Sequence, residues 1–301
     1  MPVGFIGVGN IGSPMAHQIL RAGFSLVVHD VRKEAADSLL EAGAVWANSP
    51  PDLAQQCEVV ITCLPGPPEM EEVMLGGGGV VDAIQPGSLY IDHSTNAPTL
   101  VQKVHEACSS KGVGMVDAPV SGGLELAQTR DLLVMVGGDA NAVERATPYL
   151  DAIAKRVMHT GPIGSGCICK ILHNSASFTL DVVMAECWTT GVRAGVDPNV
   201  LVKVFNEGAL GHMISLKVRL RDTYLKGDFD PRFALKLARK DLGLATDLAR
   251  EYGVPVRLVE LCEQEMVAAM ERGWAERDTS IMLTLQEERA GAQVRTTGAK
   301  T

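Results

Sequence analysis

Residues 4–15 read GFIGVGNIGSPM, and this stretch decides the fold. A short apolar strand runs into a Gly-x-Gly-x-x-Gly turn at Gly7, Gly9 and Gly12, and an apolar helical stripe follows. Gly7 permits the tight turn, Gly9 lets a pyrophosphate approach the backbone, and Gly12 lets the helix pack closely on the strand. The N-terminus of that helix would present N–H groups and partial positive charge to phosphates. We therefore predict a dinucleotide site at the loop of Gly7, Val8, Gly9, Asn10, Ile11 and Gly12.

An acidic residue ends the next apolar run. Asp30 follows Leu26 to His29, at about the 20-residue spacing from the glycines at which a carboxylate binds the adenosine ribose. A carboxylate there repels a 2′-phosphate, so we expect NAD. Arg32 keeps NADP possible, because its guanidinium could hold a 2′-phosphate. In the alternative interpretation, Asp30 only caps a helix that begins near Arg32.

Length and charge restrict the class of protein. The chain has 301 residues, 46% of them hydrophobic, a net charge of −9 and a pI near 5.3. This length suits about two domains, and the acidity argues against a nucleic-acid or membrane-surface partner. We see no membrane span and no leader, and we expect a cytoplasmic location. The seven cysteines lack zinc-site spacing, so free thiols and no bound metal are expected.

Strand-like runs alternate with helical segments in the first half of the chain. After the first two strands, further strands are predicted at 44–47, 59–64, 88–92, 113–117, 132–136 and 157–159. Ser49 is expected to cap a helix that has Pro50 at its first position, and the four glycines at 76–79 are expected to form a loop. The alternation predicts an α/β fold, with a Rossmann-like, mostly parallel, doubly wound sheet over residues 1–163.

The pattern becomes helical after the glycine-rich segment 161–166. A proline-free apolar stretch predicts one long linking helix over about 166–194, and further helices are predicted at 198–207, 215–225, 234–252, 255–272 and 279–286. Residues 164–301 are therefore expected to form an all-α domain. Residues 287–301 have few apolar anchors and are expected to be loosely held. The long helix is apolar on more than one face, which predicts a homodimer or homotetramer.

Small and polar residues follow several predicted strands. Ligands bind at the carboxyl ends of strands in doubly wound sheets. By that argument we expect the Ser121 hydroxyl and the backbone N–H groups of Gly122 and Gly123 to bind a substrate carboxylate, although a plain turn is the alternative. The same argument places Leu64-Pro65 and Ser94-Thr95-Asn96 beside the nicotinamide ribose. Asn96 could also donate a hydrogen bond to a polar substrate.

Four segments in order carry a family resemblance. They are 4–16, the Asp117-Ala118-Pro119-Val120-Ser121-Gly122-Gly123 segment, residues 164–174 and the Lys240-Asp241-Leu242 segment. Together they resemble the β-hydroxyacid dehydrogenase family, and the similarity extends to about residue 285. The resemblance implies a two-domain NAD(P)-dependent enzyme that oxidises a small 3-hydroxy acid or reduces the matching semialdehyde.

Lys170 and Asn174 are the predicted catalytic residues. They lie one turn apart on one face of the long helix, which we expect to border the cleft between the domains. A partly desolvated lysine can take the substrate's hydroxyl proton while hydride leaves the carbon, and Asn174 can orient the hydroxyl. Lys240 resembles the family lysine that reaches the cofactor, although a Lys-Asp pair on a helix can be a solvated ion pair.

Other residues separate this chain from neighbouring families. His173-Asn174 resembles the substrate-contacting pair of 6-phosphogluconate dehydrogenase, but Ser177 stands where that family has a glutamate. The imine-reductase branch lacks the lysine retained here as Lys170. Within the β-hydroxyacid dehydrogenases, Leu126 and Arg130 occupy positions where glycine is usual. A catalytically silent NAD-binding module for sensing or assembly remains the alternative function.

Overall fold

The computed structural model describes residues 2–193, 195–208, 211, 219–251 and 257–296. The chain divides into two compact units. We call Met1–Ile171 the sheet unit and Leu172–Thr301 the helical unit. Within the described ranges, no helix combines the length and the apolar character needed to cross a bilayer.

One nine-stranded sheet forms the centre of the sheet unit. Its strands are β1 (Val3–Ile6), β2 (Leu26–His29), β3 (Val45–Trp46), β4 (Val59–Thr62), β5 (Leu89–Asp92), β6 (Gly114–Asp117), β7 (Val120–Ser121), β8 (Leu132–Gly137) and β9 (Ala154–Gly161). They are arranged as β3-β2-β1-β4-β5-β6-β8-β7, with β9 also paired to β8. Only the pairings of β8 with β6 and β7 are antiparallel. The predicted mostly parallel sheet is confirmed. The strand β7 was not predicted, because two residues are too few to form a recognisable apolar run.

Helices cover both faces of this sheet. They are α1 (Gly12–Arg21), α2 (Asp37–Glu41), α3 (Pro50–Gln56), α4 (Pro67–Leu75), α5 (Val80–Ala83), α6 (Pro98–Ser110), α7 (Gly123–Gln128) and α8 (Ala140–Ile153), followed by the start of α9 (Ser165–Arg193). Successive strand residues alternate between two hydrophobic clusters. Ile61 and Ile91 lie in one cluster, whereas Val60 and Tyr90 lie in the other. The doubly wound arrangement follows from this two-residue period, since each face needs its own helical cover.

Local signals in the sheet unit behave as predicted. The Ser49 hydroxyl accepts a hydrogen bond from the Asp52 N–H at the start of α3, and residues 76–79 form a loop. Six cysteines are free thiols, and the side chain of Cys187 lies outside the described residues.

The helical unit contains the rest of α9, then α10 (Pro198–Glu207), α11 (Leu235–Glu251), α12 (Arg257–Glu271) and α13 (Thr284–Ala290). Parts of three predicted helices, at 215–218, 252 and 255–256, lie outside the described residues, as does residue 194. The prediction of one helix over 279–286 is correct only for its last three residues, which begin α13. A 3-10 helix spans Thr279–Leu283 instead, because the Asp278 carboxylate holds Ser280 and, across the chain, the backbone of Phe233.

The C-terminal segment is held more firmly than its composition predicts. Glu287 is buried, accepts a hydrogen bond from the Val294 N–H and pairs with Arg295. The Val294 side chain is itself in the core of the helical unit. The expectation of a loosely held segment is therefore wrong for residues 287–296, because one buried ion pair and one apolar anchor suffice. Residues 297–301 lie outside the described residues.

Candidate active site

The glycine-rich turn joins β1 to α1. Gly7 has φ +89°, and a Cβ atom there would lie 2.4 Å from the Cys63 carbonyl oxygen. A Cβ at Gly12 would lie 1.9 Å from the Gly7 carbonyl oxygen, whereas a Cβ at Gly9 would have no heavy atom within 4 Å. The protein's own packing thus requires Gly7 and Gly12, while Gly9 leaves open space. That division is the one a dinucleotide turn needs.

Asp30 ties the same turn to the end of β2. Its two carboxylate oxygens accept hydrogen bonds from the Val8 N–H and the Arg32 N–H, each at 2.9 Å. The following 3-10 helix has Arg32 as its N-cap and no side-chain capping bond. The alternative in which Asp30 only caps a helix is therefore not what the structure shows. Arg32 itself is exposed next to this carboxylate.

The start of α1 fits a phosphate group. Its N-cap is Ile11, and no side chain caps the helix, so the helix end offers N–H groups and partial positive charge without an internal anion. Open space at Gly9, the uncapped helix start and the Asp30 carboxylate together match what a bound NAD(P) molecule requires.

A hydrogen-bond network joins the carboxyl ends of β4 and β5. Asp92 is fully buried and accepts hydrogen bonds from the Thr62 hydroxyl, the Ser94 N–H and the Asn96 amide at 2.8 to 2.9 Å. The Ser94 hydroxyl in turn accepts a bond from the Leu64 N–H. Burial raises the pKa of Asp92.

The predicted contact residues at this edge differ in their exposure to solvent. Pro65 is exposed and Thr95 is half-buried. Asn96, expected to meet the substrate, is fully buried and donates to Asp92. In this structure its amide therefore supports the strand end instead of facing a ligand. Asp92, at the end of β5, is the acceptor that Thr62, Ser94 and Asn96 share, and its position at a strand end is a signal in the sequence that could have identified this network.

The Ser121-Gly122-Gly123 segment ends β7 and begins α7. Ser121 is half-buried, and the two glycines are exposed with φ +144° and +72°. A Cβ atom at Gly122 would lie 2.9 Å from side-chain atoms of Leu126 and Leu132, whereas Gly123 has open space around it. The backbone of this segment is therefore accessible, and its conformation is one that other residues adopt poorly.

The backbone conformation of Arg130 shows how the chain accommodates one departure from the family pattern. It has φ +59° and is the only non-glycine residue with positive φ among the described ranges. The chain is left-handed here just after α7, a conformation that favours glycine, the residue expected from the family resemblance. Arg130 adopts that conformation, and its Nε donates to the Asp151 carbonyl at 2.8 Å. Leu126 packs against the core of the sheet unit.

The start of α9 is anchored by a residue that the sequence analysis did not single out. Asp117, the last residue of β6, is fully buried and accepts hydrogen bonds from the Gly164 N–H at 2.6 Å and the Cys167 N–H at 2.7 Å. Burial raises the pKa of Asp117 to about 7, and the two backbone hydrogen bonds oppose that rise. Lys170 is half-buried one turn beyond Cys167.

In the helical unit, Asn174 belongs to a second polar group. It lies on α9 one turn after Lys170, and its buried amide donates to Asp241 at 2.6 Å. The other Asp241 carboxylate oxygen lies 2.7 Å from the Lys240 ammonium group. Asp241 is only 3% exposed, so this Lys-Asp pair is not a solvated one. His173 is exposed, with Nδ1 3.4 Å from the Asn174 amide oxygen.

Family models match both parts of the chain. Residues 2–161 match the model described as the NAD binding domain of 6-phosphogluconate dehydrogenase. Residues 164–286 match the model described as the NAD-binding domain of NADP-dependent 3-hydroxyisobutyrate dehydrogenase.

Named relatives agree over almost the full length. The chain is 35% identical over 295 residues to the NAD-dependent L-serine dehydrogenase of Pseudomonas aeruginosa, covering 96% of this chain and 99% of that protein. It is 33% identical to the mitochondrial 3-hydroxyisobutyrate dehydrogenase of Rattus norvegicus, covering 95% and 88%. The chain belongs to the β-hydroxyacid dehydrogenase family. Its function class is NAD(P)-dependent oxidation or reduction at a hydroxy acid, as the motifs predicted.

A solved structure supports the same conclusion for the fold. The 3-hydroxyisobutyrate dehydrogenase of Mycobacterium tuberculosis, determined with L-serine, has a TM-score of 0.84 at 29% identity. The similarity covers 94% of this chain and 98% of that one. The predicted α/β architecture with a helical second part is therefore confirmed.

Proposed function

We propose that this β-hydroxyacid dehydrogenase uses NAD to oxidise a small 3-hydroxy acid to its semialdehyde, with Lys170 as the general acid and base. The observation that carries the proposal is the placement of Lys170. It is half-buried in the second turn of a helix whose first turn is fixed by a buried carboxylate. A lysine on a helix that is fixed in this way can hold its amine at a defined position, as a general acid and base requires.

The proposed chemistry needs one proton acceptor and one hydride acceptor. The Lys170 amine, in its neutral form, takes the proton of the substrate's hydroxyl group as the carbon–oxygen double bond forms. Bound NAD supplies the hydride acceptor for the hydrogen on the same carbon. In the reverse direction, the protonated amine of Lys170 returns the proton to the carbonyl oxygen of the semialdehyde. We assign Asn174 the role of orienting this oxygen, because Asp241 fixes its amide.

Substrate binding is assigned to the segment after β7. We propose that the Ser121 hydroxyl and the N–H groups of Gly122 and Gly123 bind the substrate carboxylate. Their support is the accessible backbone of the two glycines. We assign exposed His173 as a contact of the substrate's second substituent. Asn96 is assigned only an indirect role, through Asp92.

Cofactor choice is assigned to the end of β2. Asp30 faces the position of the adenosine ribose in our proposal and disfavours a 2′-phosphate, so we propose a preference for NAD over NADP. The exposed Arg32 is the residue that would moderate this preference. Leu64, Pro65, Thr95 and Lys240 are proposed as further cofactor contacts, with the loop from Gly7 to Gly12 holding the pyrophosphate.

The substrate proposal is narrowed by what the relatives act on. One named relative is an L-serine dehydrogenase, and a solved relative was determined with L-serine. We therefore propose L-serine or 3-hydroxyisobutyrate as the substrate, both of which carry a hydroxymethyl group next to the carbon bearing the carboxylate. NADH formation should be followed at 340 nm with L-serine, 3-hydroxyisobutyrate, 3-hydroxypropionate, glycerate and threonate, each with NAD and with NADP. Absence of turnover with every acid and both cofactors would refute the proposed reaction.

Assembly and location complete the proposal. We propose a homodimer or homotetramer formed through the helical domain, since Val200 and Val204 on α10 and Leu258 and Leu261 on α12 are more than half exposed. Light scattering at micromolar concentration should give a mass well above that of the 32.0 kDa chain.

We retain 163/164 as the proposed domain boundary, between the end of β9 and the start of α9. The free cysteines support a cytoplasmic location.

A further inference from the structure

A single carboxylate joins the last residue of β6 to the first turn of α9. Asp117 Oδ1 accepts a hydrogen bond from the N–H of Gly164, directly before α9, and Oδ2 accepts one from the N–H of Cys167, in its first turn. Helix caps usually come from the residue directly before the helix, whereas this one comes from a strand 47 residues earlier in the chain. The cap therefore fixes the helix to the sheet, and it does not merely end the helix.

Two glycines allow the neighbouring backbone to pack closely against the Asp117 carboxylate. A Cβ atom at Gly137 would lie 2.4 Å from Asp117 Oδ1, and one at Gly166 would lie 2.9 Å from Asp117 Oδ2 and 2.4 Å from the Met135 carbonyl oxygen. Both positions therefore exclude any larger side chain. The hydroxyl group of Ser165 adds a bond to Thr160 on β9 at 2.8 Å. The first turn of α9 thus has little freedom to move relative to β6, β8 and β9.

Lys170 is placed directly above this anchored turn. It follows Cys167 by three residues, so the two side chains lie on the same side of the helix. Side chains in a helix also lean toward its N-terminus, which brings the stem of Lys170 back toward the first turn. A shift or rotation of that turn would therefore move the Lys170 amine with it.

We propose that Asp117 is a positioning residue for Lys170, which it serves by fixing the first turn of α9 and by offsetting the positive end of the helix. This inference rests on the proposed role of Lys170 as the acid and base. Geometry at a reacting group matters strongly, since displacement by about 1 Å can reduce turnover by roughly 10²-fold. A charged carboxylate at a helix N-terminus also offsets the partial positive charge of that end, which makes the Lys170 amine a stronger base toward the substrate's proton.

Other titratable groups around Asp117 are neutral or bonded. Asp92 is its neighbour in the parallel register of β5 and β6, and burial raises its pKa. The Cys167 thiol on α9 has a pKa well above the usual range because of burial. His93 donates from Nδ1 to the Ala118 carbonyl, and burial lowers its pKa to about 4. Since burial places the pKa of Asp117 itself near 7, its charge is present above neutral pH.

The test compares Asp117→Asn with a matched control, Asp139→Asn. Asp139 is also an aspartate of the sheet unit that caps a helix, accepting from the Ala142 N–H at 2.9 Å, but it caps α8. In Asp117→Asn one side-chain oxygen becomes an N–H donor facing a backbone donor, so one of the two bonds is lost. We expect kcat to fall by about 10-fold to 10²-fold with KM for NAD within about twofold, whereas Asp139→Asn should keep kcat within about twofold.

A second measurement follows Lys170 without turnover. Amine-selective labelling between pH 7.5 and 10.5, read by peptide mass spectrometry, gives the pH at which Lys170 becomes half reactive. Loss of the Asp117 charge should lower this midpoint by about half a pH unit or more, and Asp139→Asn should leave it unchanged. An unchanged midpoint in Asp117→Asn would overturn the electrostatic part of the proposal, and unchanged kcat would overturn the positional part.

Gly166→Ala tests position without changing any charge. The added Cβ must displace the first turn of α9 away from Asp117 and Met135, so kcat should fall while the labelling midpoint stays near that of the parent. Parental kcat in Gly166→Ala overturns the positional part even where Asp117→Asn does not fold. Failure of the proposed function is a separate result: Lys170→Ala would then retain turnover, while the labelling midpoints would still report whether Asp117 acts on Lys170.

Discussion

Candidate site residues of the two units are held in different ways. In the sheet unit, Asp30 and Asp117 each accept hydrogen bonds from two backbone N–H groups. In the helical unit, Asn174 and Lys240 both contact the carboxylate of one side chain, Asp241. Backbone partners are supplied by the chain path itself, whereas side-chain partners exist only if the right residue stands at a distant position.

This difference has consequences for substitution. A carboxylate that holds backbone groups affects the path of the main chain, so its loss should disturb a turn or a helix start. A carboxylate shared between two side chains affects their orientation, and its removal takes one partner away from each of them. Substitutions of Asp241 and Asp30 distinguish these two cases, and substitution of Lys170 should have a larger effect than either.

Lys170→Ala should show the largest effect, because it removes the proposed proton carrier itself. We expect kcat to fall by about 10² to 10⁴-fold, the range for a positioned acid or base, with little change in NAD affinity. Steady-state NADH formation and NAD titration by protein fluorescence measure the two quantities. Lys203→Ala, at an exposed position of α10, is the matched control and should match the parent. Turnover of Lys170→Ala within about threefold of the parent would remove Lys170 from the mechanism.

Asp241→Ala should show how much the helical unit depends on its shared carboxylate. Its loss removes the carboxylate that accepts from the buried Asn174 amide and pairs with the Lys240 ammonium group, which should cost about 2 to 3 kcal/mol of unfolding free energy. Urea denaturation measures this loss. Asp241→Asn keeps an acceptor for Asn174 and should lose less. Equal losses in the two variants would show that the ion pair, and not the Asn174 bond, is the important contact.

The sheet unit was largely predictable because its rules are local. Short continuous apolar runs identified the strands, since each face of the sheet is covered by its own cluster. The glycine turn and Asp30 could be assigned from their spacing, because the dinucleotide site uses backbone geometry that requires those residue types. The short β7 and the left-handed Arg130 could not, since neither leaves a periodic signal.

Interactions between distant positions were not predictable. Asp117 belongs to a recognised motif, but nothing in the sequence shows that it meets Gly164 and Cys167. The same holds for Asn174 with Asp241, 67 residues away, and for Glu287, whose burial reverses the expectation of a loose C-terminal segment. Such contacts depend on three-dimensional packing, to which composition and periodicity give no access.

Asp30→Ala tests a carboxylate that holds backbone N–H groups, here at the proposed cofactor site. Two effects are expected, because the carboxylate holds the Val8 N–H and, in our proposal, disfavours a 2′-phosphate. NAD affinity should fall by about 10-fold, the value of a bond to a charged group, and NADP affinity should change less. The ratio of kcat/KM for NAD to that for NADP measures the preference for NAD, which should be smaller in the variant than in the parent. A parent enzyme that already prefers NADP would show that Arg32 determines the choice.

Arg130→Gly should have the smallest effect and the opposite sign. Left-handed backbone costs a side-chain-bearing residue about 1 to 2 kcal/mol, which glycine avoids. The variant also loses the exposed hydrogen bond from Arg130 to the Asp151 carbonyl, worth about 0.5 to 1.5 kcal/mol, and it gains freedom in the unfolded chain. The net gain in unfolding free energy should therefore stay below about 1 kcal/mol. Thr129→Gly is the matched control, because Thr129 has φ −97° and gains nothing from glycine there, so it should lose about 0.5 to 1 kcal/mol. If Arg130→Gly is destabilised as much as Thr129→Gly, the side-chain bond outweighs the backbone conformation, and even in the sheet unit a side-chain contact would then decide a turn.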